Sequence, residues 1–255
     1  MYIRCILFCL LVFSFSCESA KIKTEDKLEG DIQALKKFYF PLDELSEDGL
    51  VYEYAEDSAG LKMDYWLYKS VKDEAGDRFL IGTNYDATFE QKQFSREWIV
   101  SNGTILKDYL FFQFDSISKK SSVRAAKIEE SVVFPFSPTQ DSDKVYRFRL
   151  KYSVLPDTNV IYDLVRNRKF DKFTEYEFEG KKIPAVQFIS QEFYDATNYK
   201  EGGTWTAKST IKEIYAKGLG LVYKERKGEA PNYVSRLKRR ISPDDFIKMQ
   251  GLKTK

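Results

Sequence analysis

Residues 144–154, KVYRFRLKYSV, decide the fold class of this chain. Their apolar side chains recur at every second position from Tyr146 to Val154, and arginine or lysine side chains stand at several positions between them. A period of two residues is that of a β-strand, whose successive side chains point to opposite faces of the sheet. The segment therefore predicts a strand of an antiparallel sheet with one face in water and the other in a core.

The same alternation recurs along the rest of the chain, and helical periodicity is scarce. Further strands are predicted over residues 50–54, 61–67, 78–83, 94–100, 105–114, 122–134, 160–164, 173–178, 185–193, 205–215, 219–225 and 233–240. In segment 105–114 large apolar side chains occupy both faces, which is typical of a sheet that curls around its contents and is covered outside. The predicted fold class is mostly β: a single curved antiparallel sheet, a half-barrel or open barrel, with a few short helices.

One of those helices is predicted at the C-terminus, over residues 243–249. Ser242 can cap the first turn, Pro243 suits the first helical position, and Asp244 and Asp245 complement the positive end of the helix dipole. The basic run before it, residues 236–240, predicts a strand at a solvated sheet edge, because lysine and arginine discourage edge-to-edge aggregation. Binding of anionic headgroups is the alternative for this run.

The N-terminus has the features of an export signal. All three cysteines lie in the first 17 residues, and the apolar run 5–15 follows a single cation, Arg4. That run has the length of a signal-peptide core and is too short to span a bilayer. It ends in Ser16-Cys17, which resembles the lipobox of bacterial lipoproteins, although the residues usual at the two positions before Ser16 are absent. The alternative is an ordinary secretory signal cut near Ala20.

The lipobox resemblance implies a signal peptide over residues 1–16 and acylation of Cys17, with chains such as palmitate. Residues 17–37 would then be the lipidated N-terminus and tether, and residues 38–255 a single antiparallel β domain. Each methylene inserted in the bilayer contributes about 0.8 kcal/mol, so several chains anchor a protein firmly. Glu18 resembles the residue that accompanies outer-membrane sorting. The implied location is the bacterial envelope, anchored at the outer membrane and facing the periplasm or the cell surface.

Composition excludes several classes of chemistry. The chain has no histidine, which removes His-dependent nucleophilic triads and His-ligated zinc or iron sites. Its formal net charge is only +2, so no nucleic-acid partner is expected. Glu175 and Glu177 would share one face of a strand, as paired hydrolase carboxylates can, but the pattern around them favours a solvated face. We expect a non-catalytic protein without metal or cofactor, and keep a carboxylate-based hydrolase as an alternative.

A second resemblance lies at residues 215–225, YAKGLGLVYKE. This stretch resembles a hairpin of uncharacterised periplasmic β-proteins, which are similar to the half-barrel family of lipoprotein carriers and outer-membrane lipoprotein receptors. The similarity covers residues 183–227 and implies a curved sheet that forms a cup for acyl chains. Gly218 and Gly220 would allow a bulge or a tight corner there.

Together these patterns predict a membrane-anchored envelope lipoprotein that binds or carries a lipid or other apolar ligand in a β cup. The candidate ligand-binding residues are Tyr109, Phe111, Tyr146, Phe148, Leu150 and Tyr152. The alternative is an interaction protein that binds another envelope protein or a glycan through an exposed sheet edge or an aromatic patch. The high aromatic content suits either a cup lining or a filled β core.

Overall fold

A computed structural model describes residues 34–46, 48–56, 62–115, 119–137, 145–155 and 157–253. A short 3-10 helix, Lys36–Phe38, precedes the strands. The strands are β1 (Leu50–Glu56), β2 (Lys62–Lys72), β3 (Arg78–Tyr85), β4 (Gln91–Val100), β5 (Gly103–Asp115), β6 (Lys120–Ala125), β7 (Lys127–Pro135), β8 (Tyr146–Ser153), β9 (Val160–Phe178), β10 (Lys181–Asn198), β11 (Thr204–Ala216), β12 (Gly220–Gly228) and β13 (Tyr233–Ile241), followed by helix α1 (Pro243–Lys253). Cys17 and most of the predicted tether lie outside the described residues.

Twelve of these strands close into an antiparallel barrel. Most strands pair with their neighbours along the chain, β5 also pairs with β7, and the pairing of β1 with β13 joins the first strand to the last. β6 pairs with the second half of β5 and is not part of the ring. The prediction of a half-barrel or open barrel is therefore wrong. Alternation identifies the buried face of each strand, but it carries no information on whether the first strand reaches the last.

Four local predictions also need correction. The predicted strand 122–134 is divided between β6 and β7, and only β7 belongs to the ring. The predicted strands 160–164 and 173–178 are parts of one 19-residue strand, β9. The basic run 236–240 is not at an edge, because β13 pairs with both β1 and β12. The outer face of β5 is not covered along its length, since Phe114 is 59% exposed.

Helix α1 confirms the predicted C-terminal helix and packs on the outside of the barrel. The Phe246 ring lies 5.3 Å from the rings of Tyr65, Tyr85 and Phe89. Ser242 caps the helix, because its Oγ accepts a hydrogen bond of 3.1 Å from the backbone N–H of Asp245. Among the described residues, no helix is long and apolar enough to cross a bilayer.

An N-terminal segment, residues 34–46, fills one end of the barrel. Leu35, Phe38, Phe40 and Leu45 are all buried there among the aromatic side chains of the strands. The backbone N–H of Leu35 donates 2.8 Å to the carbonyl of Phe136, and that of Ser70 donates 2.8 Å to the carbonyl of Leu45. Packing of the domain thus begins within the segment predicted as tether.

Gly220 makes room for this segment. A Cβ atom at Gly220 would lie 2.6 Å from Cδ1 of Phe40, and the residue has a φ of +82°. The register between β11 and β12 shifts next to it, between Ile214 and Tyr215. The bulge expected near Gly218 and Gly220 is therefore present, and its consequence is close contact between the wall and the N-terminal segment.

Candidate functional site

A cavity of about 820 Å³ lies inside the barrel. The side chains of an eight-stranded barrel nearly fill its interior, whereas twelve strands enclose a wider space. Because the N-terminal segment occupies one end, the free space lies toward the other, where Asp86 and Asn232 of the β3–β4 and β12–β13 hairpins line it. The volume is that of a typical small-molecule site.

Aromatic side chains form a continuous row across the wall on the side of β5 and β8–β11. This aromatic ladder consists of Tyr109, Phe111, Tyr152, Tyr162, Tyr194 and Trp205. Successive ring centroids are 5.1, 4.4, 5.5, 5.5 and 5.9 Å apart. The first three residues line the cavity, and the last, Trp205, is 52% exposed. The ladder thus runs from the cavity to solvent and offers apolar faces along its whole length.

Basic side chains of β9 and β12 line a different part of the cavity. This cationic cluster consists of Arg166, Arg168, Lys224 and Arg226. Inward-facing Glu192 and Glu213, on the two strands between β9 and β12, are its counter-ions. Four cations therefore meet two carboxylates in one part of the barrel wall.

Glu213 is the deeper of the two carboxylates. It accepts a hydrogen bond from Nη2 of Arg168, and Nζ of Lys224 and Nη1 of Arg166 each lie 3.7 Å from its Oε1. Burial opposes ionisation of Glu213, but the adjacent cations outweigh it and lower its pKa to about 2. Glu213 is thus a carboxylate at neutral pH.

Glu192 is held in the same way, nearer the end of the barrel that carries the β3–β4 and β12–β13 hairpins. Its Oε2 accepts a hydrogen bond of 2.6 Å from Nη2 of Arg166, and Nη1 of Arg226 lies 3.5 Å from Oε1. Burial again opposes ionisation, yet the attraction of Arg166 lowers the pKa of Glu192. Both carboxylates are therefore charged and paired.

Two of the acidic side chains that line the cavity lie on β2 and in the β3–β4 hairpin. β2 lies six places from β9 in the twelve-stranded ring, and its Asp64 accepts hydrogen bonds from Trp66 Nε1 at 2.9 Å and Asn84 Nδ2 at 2.5 Å. Asp86 lies 3.1 Å from Nζ of Lys92. The charges of the cavity wall are therefore uneven, with an excess of cations on β9 and β12 and, on the side of β2 to β4, Asp64 beside the ion pair of Asp86 with Lys92.

Glu97 on β4 links the cavity to the N-terminal segment. The Tyr39 hydroxyl and Thr104 Oγ1 each donate a 2.8 Å hydrogen bond to its Oε2. Burial raises the pKa of Glu97, while the two hydrogen bonds oppose that rise.

The structure brings most of the sequence-predicted ligand residues together. Five of the six line the cavity: Tyr109, Phe111, Phe148, Leu150 and Tyr152. Tyr146 lies further along β8, where its hydroxyl donates 3.2 Å to the carbonyl of Ser137. Cys17 lies outside the described residues. Glu175 and Glu177 are exposed away from the cavity, as the pattern around them indicated.

Sequence reasoning missed the cationic cluster. The residues of β9 between its two apolar ends, VRNRK, have the composition of a solvated loop, yet Arg166 and Arg168 occupy inward positions. Glu213 stands between inward Ile211 and Tyr215, where alternation calls for an apolar residue. The sequence signal for this cluster was a charged residue at a strand position where the alternation places an apolar one. Within the described ranges, no group of three or more acidic or cysteine side chains could hold a metal ion.

No protein-family model matches this chain, and no curated protein matches its sequence. Its fold is similar to that of two solved structures. One, from Parabacteroides distasonis, is described as a "putative lipoprotein", with a TM-score of 0.51 and 12% identity, covering 80% of this chain and 98% of that chain. The other, from Bacteroides fragilis, is described as a "putative exported protein with YmcC-like fold", with a TM-score of 0.50 and 12% identity, covering 80% of this chain and 99% of that chain. At this identity the likeness shows a shared fold.

Proposed function

We propose that this chain is an envelope lipoprotein that binds a lipid or other molecule with a long apolar part inside its barrel, without catalysis. The observation that carries the proposal is the cavity of about 820 Å³ together with the aromatic ladder that leads from it to exposed Trp205. Apolar surface buried against such a wall contributes about 25 cal/mol per Å². An acyl chain has the length and the apolar surface to follow the ladder.

The envelope location rests on the N-terminal pattern and on the fold. Residues 1–17 combine a signal-peptide core with a cysteine at the position that acylation needs. The two solved structures of similar fold are described as a "putative lipoprotein" and a "putative exported protein". Acylation of Cys17 would hold the barrel beside the membrane from which a lipid ligand comes, with the outer membrane as the proposed site.

Ligand binding can be tested with the unacylated mature chain, residues 17–255 with Cys17→Ala. Native mass spectrometry of the purified protein should detect co-purified lipid, and a fluorescent dodecanoic acid should bind with an increase in emission. Phe111→Ala, which removes a ring of the ladder at the cavity wall, should weaken binding about tenfold, as expected for loss of about 1.4 kcal/mol. Phe114→Ala is the matched control, since Phe114 lies on the same strand with its side chain exposed. The proposal would be refuted if the protein purified without bound lipid and bound no fluorescent fatty acid.

Exposed aromatic residues on the β10–β11 hairpin favour one second candidate. Tyr199 there is 74% exposed, and Trp205 is the second residue of the following strand. The alternative function is binding of another envelope protein or a glycan through this aromatic patch. Under that alternative, Tyr199→Ser would reduce cross-linking to a partner in the envelope and leave fatty-acid binding unchanged.

A further inference from the structure

The cationic cluster carries more positive charge than its own carboxylates neutralise. Glu192 contacts Arg166 and Arg226, and Glu213 contacts Arg168 and Lys224. With both carboxylates ionised, these six groups carry a net charge of +2, and Glu56 and Glu97 are further acidic side chains of the cavity lining. Removing charges from water is unfavourable unless opposite charges and hydrogen-bond acceptors compensate them.

Arg168 adds an independent sign of a missing acceptor. The residue is only 5% exposed and lines the cavity. Its two terminal nitrogens donate to the Val133 carbonyl and to Glu213. Its Nε has no hydrogen-bond partner in the part of the chain that the structure describes. A buried guanidinium N–H without an acceptor destabilises the folded protein. An anion in the cavity could supply the acceptor.

The positions of the acidic residues give the bound molecule a direction. Asp64 of β2 lies six places from β9 and three places from β12 in the ring and would repel an anion, whereas the cationic cluster attracts one. Phe148 lines the cavity beside Arg166, with the guanidinium 5.9 Å from its ring, and the ladder residue Tyr152 follows on the same strand. An anionic group at the cluster would therefore lie next to an apolar surface that leads outward.

We propose that the cationic cluster is the binding site for the phosphate headgroup of an amphiphile whose apolar chain lies along the aromatic ladder. The inference rests on the proposed function and specifies its ligand class. A phosphate monoester carries between one and a half and two negative charges, about the excess of the cluster. The planar guanidinium groups match phosphate oxygens, and a lysine supplies a further point charge.

Three probes with the same twelve-carbon chain test the headgroup: dodecyl phosphate, dodecanoate and dodecyl maltoside, each below its micellar concentration. Isothermal titration of the unacylated mature chain should give the tightest binding for dodecyl phosphate, at least tenfold tighter than dodecyl maltoside, with dodecanoate between them. Equal affinity for dodecyl phosphate and dodecyl maltoside would overturn the headgroup site and leave the proposed function intact. Dodecanoate binding at least as tightly as dodecyl phosphate would overturn the phosphate assignment. No binding of any probe would overturn the proposed function as well.

A charge-matched pair of variants assigns the effect to the cluster. Lys224→Met with Arg226→Met removes the two excess charges and leaves Glu213 with Arg168 and Glu192 with Arg166. This variant should bind dodecyl phosphate at least tenfold more weakly and dodecyl maltoside unchanged.

The control is Lys208→Met with Lys227→Met, which removes two exposed cations from the outer faces of β11 and β12. An equal loss of dodecyl phosphate binding in both double variants would overturn the site. If the cluster variant does not fold, the comparison of the three probes on the unaltered cluster still decides the proposal.

Discussion

The Tyr39 hydroxyl donates a hydrogen bond of 2.8 Å to Oε2 of Glu97, and this contact fastens the N-terminal segment to the cavity wall. Tyr39 also packs its ring 5.2 Å from that of Phe134. The segment that fills one end of the barrel is thus held by both apolar packing and a hydrogen bond to an acidic group. Its position determines where the free space in the barrel begins.

Replacement of this donor should destabilise the domain. Tyr39→Phe keeps the ring and removes one hydrogen-bond donor from the buried carboxyl group of Glu97, so we expect a loss of about 1–3 kcal/mol in the free energy of unfolding. Urea denaturation followed by circular dichroism measures it. Tyr109→Phe is the control, because the Tyr109 hydroxyl donates 2.8 Å to the neutral amide oxygen of Gln93. A loss for Tyr39→Phe no larger than for Tyr109→Phe would contradict the anchoring role.

The contact between Gly220 and Phe40 should make Gly220 intolerant of any side chain. Gly220→Ala combines a positive φ with a Cβ atom 2.6 Å from the Phe40 ring. Gly218→Ala has a similar φ of +73° but meets no atom within 4 Å. Backbone strain alone costs about 1–2 kcal/mol, so Gly218→Ala should lose that amount and Gly220→Ala about 2 kcal/mol more, from overpacking. Guanidinium denaturation of both variants measures the difference, and equal losses would show that the contact does not matter.

The low pKa of Glu213 predicts a specific acid dependence of stability. Its folded pKa of about 2 lies below the ordinary 4.5, so the folded state holds the proton less tightly than the unfolded state. The stabilisation is therefore complete above pH 4.5 and is lost as the pH falls from 4.5 toward 2. A shift of this size corresponds to about 3 kcal/mol.

Glu213→Gln removes this pH-dependent contribution. We expect the variant to be about 3 kcal/mol less stable than the native chain at pH 7, with the difference shrinking as the pH is lowered below 4.5. Urea denaturation of both proteins at several pH values between 2.5 and 7 measures this difference in stability. Glu175→Gln serves as the control, since Glu175 is 61% exposed and lies 3.9 Å from its partner Lys182. A difference that stays constant with pH would show that Glu213 does not titrate as described.

The lipobox resemblance predicts a single acylation site. Cys17→Ala should abolish incorporation of labelled palmitate and release the protein from the membrane fraction. Cys9→Ala is the matched control, because Cys9 lies within the predicted signal peptide. Palmitate still incorporated into the Cys17→Ala protein would remove the lipoprotein assignment, and cleavage near Ala20, read by mass spectrometry of the N-terminus, would replace it.

Local alternation was sufficient to locate nearly every strand. The segment 144–154 contains β8, and the predicted strand 94–100 lies within β4. The C-terminal helix was likewise readable, because Ser242 and Pro243 act within one turn of chain. The prediction failed in two places. It joined β6 and β7 into one strand, and it left out residues 165–172 of β9, where inward arginines interrupt the alternation of apolar and polar residues. A strand whose inner face carries charge has the composition of a loop, and only its partners across the sheet reveal the difference.

The β class, most of the strand positions and five of the residues that line the cavity could be read from the order of residues along the chain, because each follows from neighbouring positions. Three features became visible only in the folded structure: the closure of the barrel, the position of the N-terminal segment inside it and the assembly of the cationic cluster. They depend on contacts between distant parts of the chain, such as those of β1 with β13, Phe40 with Gly220 and Arg168 with Glu213. A buried charge is stabilised by partners in space, and a period of two residues does not specify those partners.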